Sequence, residues 1–179
     1  ELYLMLLMAV IGALLMVCSQ NLTSFFLSLE LLSVPTYGLL AYTHERSKSL
    51  ESGLKYLVLS ATASAAMLMG MAFLYAFSGS MQFQDIGMAV ISGLGNPLMM
   101  LGMALVLFAL AFKLSLFPFH SWTADVYQGA PAPIATFLAT VSKIAVLALA
   151  IRFIFLSGSL ALDSMHTILT VIAVLSIVI

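Results

Sequence analysis

The feature that most constrains this chain is a series of long apolar runs, separated by short polar stretches that carry very few charges. Of the 179 residues, 63% are hydrophobic and only 7% are charged. A soluble domain averages about 25% charged residues. So few charges cannot cover a surface that faces water, and the sequence therefore predicts an integral membrane protein.

The apolar runs predict α-helices and not a membrane β-barrel. Barrel strands alternate apolar and polar residues over about ten positions, whereas these runs are unbroken. A membrane-spanning helix needs about 20 mostly apolar residues. We therefore expect an all-α polytopic membrane protein, with one membrane domain over residues 1–179 and six transmembrane helices, the last of them truncated. The expected helices cover about residues 2–18, 22–42, 52–77, 98–118, 131–156 and 166–179.

The composition also excludes several kinds of site. The single cysteine, Cys18, rules out a disulfide framework within the chain and any site with four cysteine ligands. The three histidines are scattered near the ends of the expected helices, which disfavours a bis-histidine haem. A net charge of −1 gives no reason to expect nucleic-acid binding. Because the chain begins at Glu1 and its last residue falls inside an apolar run, we expect the interior of a longer polypeptide.

The segments between the expected helices differ in kind. HERSKSLE (44–51) is the charge-dense loop, and the basic residues place it on the cytoplasmic side. Within it, Ser49 is the expected cap of the helix that follows. Residues 78–97 predict a short interfacial helix, and FHSWTADVYQGA (119–130) reads as a polar and aromatic loop with Trp122 and Tyr127 in an interfacial belt.

Four ionisable residues fall inside the expected spans, and they are the candidate functional residues: Glu30, Lys55, Lys113 and Lys143. A charged side chain near the centre of a membrane helix costs about 2.5 to 3.5 kcal/mol on insertion scales. Ionisable residues at membrane depth mark ion pathways and proton relays. A purely structural alternative stays open for each of the four.

Glu30 and Lys55 are expected to lie on neighbouring helices. Glu30 is too far from either end of its helix to reach water, and Pro35 frees a backbone carbonyl one turn before it in the same helix. Two interpretations of Lys55 remain open: it snorkels to the headgroups and pairs with Glu51 one turn back, or it is the buried ionic partner of Glu30.

Lys113 and Lys143 are the deepest lysines. Lys113 follows fifteen uncharged residues, 98–112, which places it about 22 Å into the membrane from one side. Pro118 is expected to break this helix near its end, and broken helices are where transporters place ion sites. Lys143 lies near the centre of its span, with Thr136 and Thr140 on much the same face as anchors for a water chain.

Three buried lysines and a carboxylate suit the transfer of protons. A desolvated amine holds its proton less tightly, and a nearby carboxylate restores that affinity. Changing the influence of the carboxylate therefore makes such a lysine release or take up a proton. We expect a proton relay through these residues, with His120 as the candidate group for proton uptake from the cytoplasm.

Three stretches make the chain resemble a known family. SLELLSVPTYGLLAY (28–42), SLESGLKYLVLSATASA (49–65) and FKLSLFPFHSWTADVYQGAPAPIATFLATVSKIA (112–145) are similar to the antiporter-like proton-translocating subunits of respiratory complex I, the NADH:quinone oxidoreductase. The strings VYQGAPAP and ATVSKIA favour the subunit N branch (subunit 2 in mitochondria). One departure is Ala124, where the family usually has proline.

The resemblance implies a fold and a set of roles. The fold would be one five-helix half of an inverted-repeat transporter with a Pro-broken helix. The family's buried glutamate and three lysines map to Glu30, Lys55, Lys113 and Lys143, with Glu30 and Lys55 as the modulating ion pair. The chain would lie in the bacterial inner membrane with paralogous antiporter-like subunits as partners. The complex uses NADH, FMN, Fe-S clusters and a quinone, and none of these is expected in this chain.

Two other functions remain open at this point. The first is an antiporter-like subunit of an Mrp-type cation/proton antiporter or of a membrane-bound hydrogenase, for which Glu30 would be the cation-binding carboxylate. The second is a scaffold without transport, in which the lysines only lock helix packing, since buried ion pairs often break even against apolar substitutes.

Overall fold

The computed structural model describes residues 1–42, 47–92, 96–158 and 163–178, without the side chains of residues 163–165. The described chain is helical along almost its whole length. The helices are α1 (Leu2–Cys18), α2 (Leu22–Leu40), α3 (Ser47–Ser78), α4 (Phe83–Ser92), α5 (Pro97–Leu114), α6 (Ser121–Gly129), α7 (Ala132–Phe137), α8 (Lys143–Leu156) and α9 (Asp163–Val178), with a π-helical turn at Leu138–Ser142 between α7 and α8. His44 and Arg46 of the predicted cytoplasmic loop lie outside the described residues.

Four helical segments are long and apolar enough to cross a membrane, which agrees with a multi-pass membrane protein. They are Leu22–Leu40, Ser47–Ser78, Pro97–Leu114 and Ala132–Leu156. The expected count of six spans is not confirmed in the described part of the chain. Helices α1 and α9 are apolar but have only 17 and 16 residues, which is shorter than the roughly 20 residues that cross a bilayer.

The break in the fourth expected span comes earlier than predicted, and a helix replaces the predicted loop after it. Helix α5 ends at Leu114, where Ser115 adopts a left-handed backbone with φ of 57°. The Leu116 amide donates to the Ala111 carbonyl at 2.9 Å, which satisfies a free carbonyl at the helix end. Residues 121–129, expected in a loop, form α6, in which Trp122 and Val126 lie four residues apart and so form one buried face.

Other boundaries also differ in ways that have local causes. Helix α3 begins at Ser47, so Ser49 lies inside it and is not its cap. The Ser49 hydroxyl donates to the Leu40 carbonyl at 2.6 Å and so ties the start of α3 to the end of α2. The short helix predicted within residues 78–97 is α4.

Close approach of α3 and α5 positions the candidate site. A Cβ on Gly70 would lie 2.8 Å from the Gly102 carbonyl oxygen, and one on Gly102 would lie 3.0 Å from the Gly70 oxygen. Small residues at such crossings let two membrane helices pack backbone to backbone. Helix α2 packs against α3 as well, so Lys113, at the end of α5, meets side chains of both α2 and α3.

Candidate functional site

Lys113 lies in the last turn of α5 and is only 6% exposed. Its ammonium nitrogen donates to the Ser33 hydroxyl of α2 at 2.7 Å and to the Ser60 hydroxyl of α3 at 2.6 Å. The carboxyl end of a helix carries a partial negative charge that favours a cation. Lys113 is thus enclosed by protein, and its expected depth in the membrane stays a prediction.

The two serines are themselves held by hydrogen bonds. Ser33 and Ser60 are 2% and 0% exposed. The Ser33 hydroxyl donates to the Leu29 carbonyl of its own helix at 2.7 Å, and the Ser60 hydroxyl accepts from the Tyr37 hydroxyl at 2.8 Å. Hydroxyl groups in the described part of the chain therefore hold Lys113, and none of these contacts is an ion pair.

Glu30 lies beside this cluster and acts on it through its charge. Its Oε1 accepts from the Ser64 hydroxyl at 2.5 Å, and Ser64 is one helical turn after Ser60. Glu30 interacts electrostatically with Lys113 and with Tyr37. Spacings of three and four residues bring side chains to one helix face, so Glu30, Ser33 and Tyr37 form one face of α2 that meets Ser60 and Ser64 of α3.

Aromatic rings close the cluster on the side of α6. The Lys113 nitrogen lies 5.7 Å from the centroid of the Tyr56 ring, within the range of a cation–π contact. The Tyr56 ring lies 5.1 Å from the ring of Trp122, which in turn stacks on Phe112 at 5.3 Å. Trp122 is 6% exposed, and its indole nitrogen donates to the Phe112 carbonyl at 3.3 Å. It therefore belongs to the wall of this site, and the expected place of Trp122 in an interfacial belt stays a prediction.

Lys55 does not join this cluster. Its nitrogen pairs with Glu51 at 2.8 Å and with Asp125 of α6 at 3.0 Å, and its side chain is 44% exposed. Ser64, which contacts Glu30, is nine residues further along α3, about 13 Å along the helix axis. The structure therefore forms the Glu51 pair that the sequence offered and does not form the expected Glu30–Lys55 pair.

The surroundings of Lys55 form a polar cleft at the start of α3. A cavity of about 110 Å³ is lined by Lys48, Glu51, Ser52, Lys55, Asp125, Gln128 and Gly129. Asp125 lies in the segment 119–130, which the sequence predicted to be a polar loop. Its partner lies 70 residues away, so only the packing of α6 against α3 reveals the pair.

Lys143 is half-buried and directly follows the π-helical turn Leu138–Ser142. Such turns often occur at functional sites. Its nitrogen lies 5.9 Å from the Tyr127 ring centroid. Thr136 and Thr140, expected to anchor water near Lys143, are exposed and donate to backbone carbonyls of their own helix at 2.9 and 2.8 Å.

Three buried hydroxyls belong to residues that follow Lys113 and precede Lys143 in the sequence. Ser115 follows Lys113 by two residues, Tyr127 lies against Lys143, and Thr123 is one turn before Tyr127 on α6. All three oxygens are buried and have no hydrogen-bond partner in the described part of the chain. Burial raises the pKa of the Tyr127 hydroxyl above its ordinary value, so this group remains protonated near neutral pH and is available both to donate and to accept.

His120 lies on the connection between α5 and α6, where its ring stacks on Phe117 with centroids 5.9 Å apart. Its role in proton uptake stays a prediction. Within the described residues, no three His, Cys, Asp or Glu side chains gather into a group that would hold a metal ion.

Sequence reasoning missed Ser33, Ser60 and Tyr56, which contact Lys113, and Tyr37, which donates to Ser60. A partial signal existed, because Ser60 and Ser64 share one face of a helix with Tyr56, and Glu30 shares a face with Ser33 and Tyr37. Serine is nevertheless common in membrane helices, so the spacing alone does not single these residues out.

Comparison with known proteins identifies the family. Residues 19–179 match the model of the NADH:quinone oxidoreductase/Mrp antiporter transmembrane family. The whole chain is 59% identical to a protein from Acinetobacter baumannii named NADH-quinone oxidoreductase subunit N, and covers 36% of it. A protein of the same name from Psychrobacter arcticus is 60% identical over 99% of the chain, which again covers 36% of that relative.

A solved structure is also similar to this chain. Respiratory complex I from Thermus thermophilus with bound aureothin contains a chain with 39% identity and a TM-score of 0.74, over 84% of this chain and 33% of that one. The present chain thus spans about a third of the length of the curated relatives it matches. It belongs to the NADH:quinone oxidoreductase/Mrp antiporter transmembrane family.

Proposed function

We propose that this chain forms the proton-conducting first half of an antiporter-like membrane subunit of a bacterial NADH:quinone oxidoreductase. Its helices would form one five-helix repeat of the inverted-repeat transporter fold, in the inner membrane beside paralogous subunits. The names of the relatives and the complex I structure support this assignment. NADH, FMN, iron–sulfur and quinone chemistry would belong to partner subunits, and this chain would move protons.

The observation that carries the proposal is the way Lys113 is held. A buried lysine in contact with a carboxylate stays charged, because breaking such a pair leaves an uncompensated charge. Lys113 is held by the hydroxyls of Ser33 and Ser60, which are compatible with a charged or a neutral amine. Glu30 acts on Lys113 through its field. The charge on Glu30 therefore regulates whether Lys113 keeps its proton.

A route onward to Lys143 is supported by the buried hydroxyls of Ser115, Thr123 and Tyr127. Buried hydroxyls are almost always satisfied by a protein group or by ordered water. Water bound to these three groups would link the end of α5 to the amine of Lys143. His120, on the same connection, would supply protons to this route from the cytoplasm.

The role that we propose for Lys55 differs from the one expected from the sequence. Its pair with Asp125 ties α3 to α6, and α6 carries Trp122 over the Lys113 cluster. We therefore assign the regulation of Lys113 to Glu30 directly, and Lys55 to fixing the position of α6.

Replacing Lys113 by methionine in the assembled complex tests this function. Methionine keeps much of the side-chain volume and removes the titrating amine. We expect NADH-driven proton pumping, measured in inverted membrane vesicles, to fall at least about tenfold, because the relay loses a step. Thr62→Val on the exposed face of α3 is the matched control, since the Thr62 hydroxyl donates only to its own helix at the Val58 carbonyl.

Two results would contradict the proposal. Pumping at the wild-type level in Lys113→Met, with the complex fully assembled, would remove Lys113 from the relay. Sodium-dependent transport in vesicles without NADH would instead favour the Mrp-type antiporter.

A further inference from the structure

The Ser60 hydroxyl lies at the centre of the buried cluster and has three hydrogen-bond partners: Tyr37, Lys113 and Tyr56. Tyr37 donates to its oxygen at 2.8 Å, and Lys113 donates to the same oxygen at 2.6 Å. A serine hydroxyl has two acceptor lone pairs and one proton. Tyr37 and Lys113 therefore use both lone pairs, and the Ser60 proton is left to face the Tyr56 hydroxyl.

Ser33, on the other side of the amine, has a fixed direction. Its proton is committed to the Leu29 carbonyl at 2.7 Å, and its oxygen accepts from Lys113 at 2.7 Å. Ser33 can accept from Lys113 whether the amine is charged or neutral, because a neutral amine still has two protons.

We propose that Ser60 is a positioning residue whose hydroxyl turns as Lys113 gains or loses a proton. When Lys113 is charged, it donates to both serines, and its third proton is the one that leaves, to a water molecule. The neutral amine then rotates so that its lone pair faces Ser60, and the Ser60 proton turns to donate to it. Tyr37 keeps its bond to Ser60, and Lys113 keeps its bond to Ser33.

After this turn, the hydrogen bonds form a chain with one direction. Tyr37 donates to Ser60, Ser60 donates to Lys113, Lys113 donates to Ser33, and Ser33 donates to the Leu29 carbonyl. Tyr37, Ser60, Lys113 and Ser33 each keep a hydrogen-bond partner, so these four groups avoid the penalty of a buried orphan group in the neutral state. A carboxylate in place of Ser60 could only accept while ionised, and would hold the amine charged. The hydroxyl therefore keeps the Lys113 nitrogen in one place through both protonation states.

This inference rests on the proposed relay role of Lys113, and three variants of the assembled complex test it. Ser60→Ala removes the turning hydroxyl, and we expect NADH-driven pumping to fall about tenfold, the cost of a lost hydrogen bond to a charged group. The pH of half-maximal pumping should also move by more than about half a unit, which a loss of packing alone would not cause. Ser60→Thr keeps a hydroxyl and should pump within about twofold of wild type.

Ser28→Ala is the matched control, because Ser28 is a buried α2 serine that donates to the Phe25 carbonyl. We expect its pumping and pH dependence to match wild type. Equal losses in Ser60→Ala and Ser60→Thr, or in Ser60→Ala and Ser28→Ala, would overturn the positioning role.

The outcomes separate the two proposals. Wild-type pumping in Ser60→Ala, where Lys113→Met has lost it, would overturn the role of Ser60 alone. Wild-type pumping in both variants would overturn the proposed function. If Ser60→Ala does not assemble, Tyr37→Phe decides, since it removes a donor to the Ser60 oxygen. A shifted pH dependence in Tyr37→Phe would support the inference, and an unchanged one would overturn it.

Discussion

Lys113 and Lys55 show how differently two lysines of neighbouring helices can be used. Lys113 is 6% exposed and held by the hydroxyls of Ser33 and Ser60. The Lys55 side chain is 44% exposed and pairs with two carboxylates. Neutral hydroxyls accommodate an amine in either charge state, whereas carboxylates favour the charged one. The chemical type of the partner, more than the distance of the lysine from the end of its helix, therefore distinguishes the two. A lysine held by hydroxyls is suited to proton transfer, and one paired with carboxylates is suited to joining two helices.

The acidic residues show the same contrast. Glu30 is half-buried and accepts from a serine, and its charge reaches Lys113 without contact. Glu51 is exposed and is bound directly to Lys55. Glu30 is therefore placed to influence a buried amine from a distance, and Glu51 is placed to hold a surface one.

The largest difference in pumping is expected between two variants that each neutralise one of these glutamates. Glu30→Gln keeps an oxygen that accepts from Ser64 and removes the charge that acts on Lys113. We expect NADH-driven pumping to fall about tenfold or more. Glu51→Gln, the matched control, should pump within about twofold of wild type, because exposed ion pairs contribute little. Equal pumping in the two variants would break the distinction.

A smaller effect is expected from the Lys55–Asp125 pair. Lys55→Met and Asp125→Asn, alone and combined, should each leave pumping within about twofold of wild type. Any loss of thermal stability that these substitutions cause in the complex should become smaller as the salt concentration is raised, because salt screens exposed charges. A loss of pumping in Lys55→Met as large as that in Lys113→Met would contradict the separation of roles.

Much of the fold followed from the sequence for clear physical reasons. Unbroken apolar runs indicated helices in a membrane. The fifteen uncharged residues before Lys113 drew attention to this lysine, which is buried between helices. Pro118 indicated a broken helix, although the break falls at Ser115, where the backbone turns left-handed.

The partners of the buried residues did not follow from the sequence. Lys113 meets Ser33 and Ser60 at separations of 80 and 53 residues. Which helix faces lie together depends on how the helices pack, here on the close contact of Gly70 and Gly102. Periodicity within one helix contains no information about its neighbours.

The contacts of Lys113 in the intact complex are the most direct test of this account. A cryo-electron microscopy map of the whole complex in lipid, at a resolution that places water, would measure them. We expect the Lys113 nitrogen to lie within hydrogen-bond distance of Ser33 and Ser60, and the Lys55 nitrogen to pair with Asp125. We also expect water beside the hydroxyls of Ser115, Thr123 and Tyr127. A Lys113 nitrogen bound directly to Glu30, or facing lipid without a polar neighbour, would contradict the account.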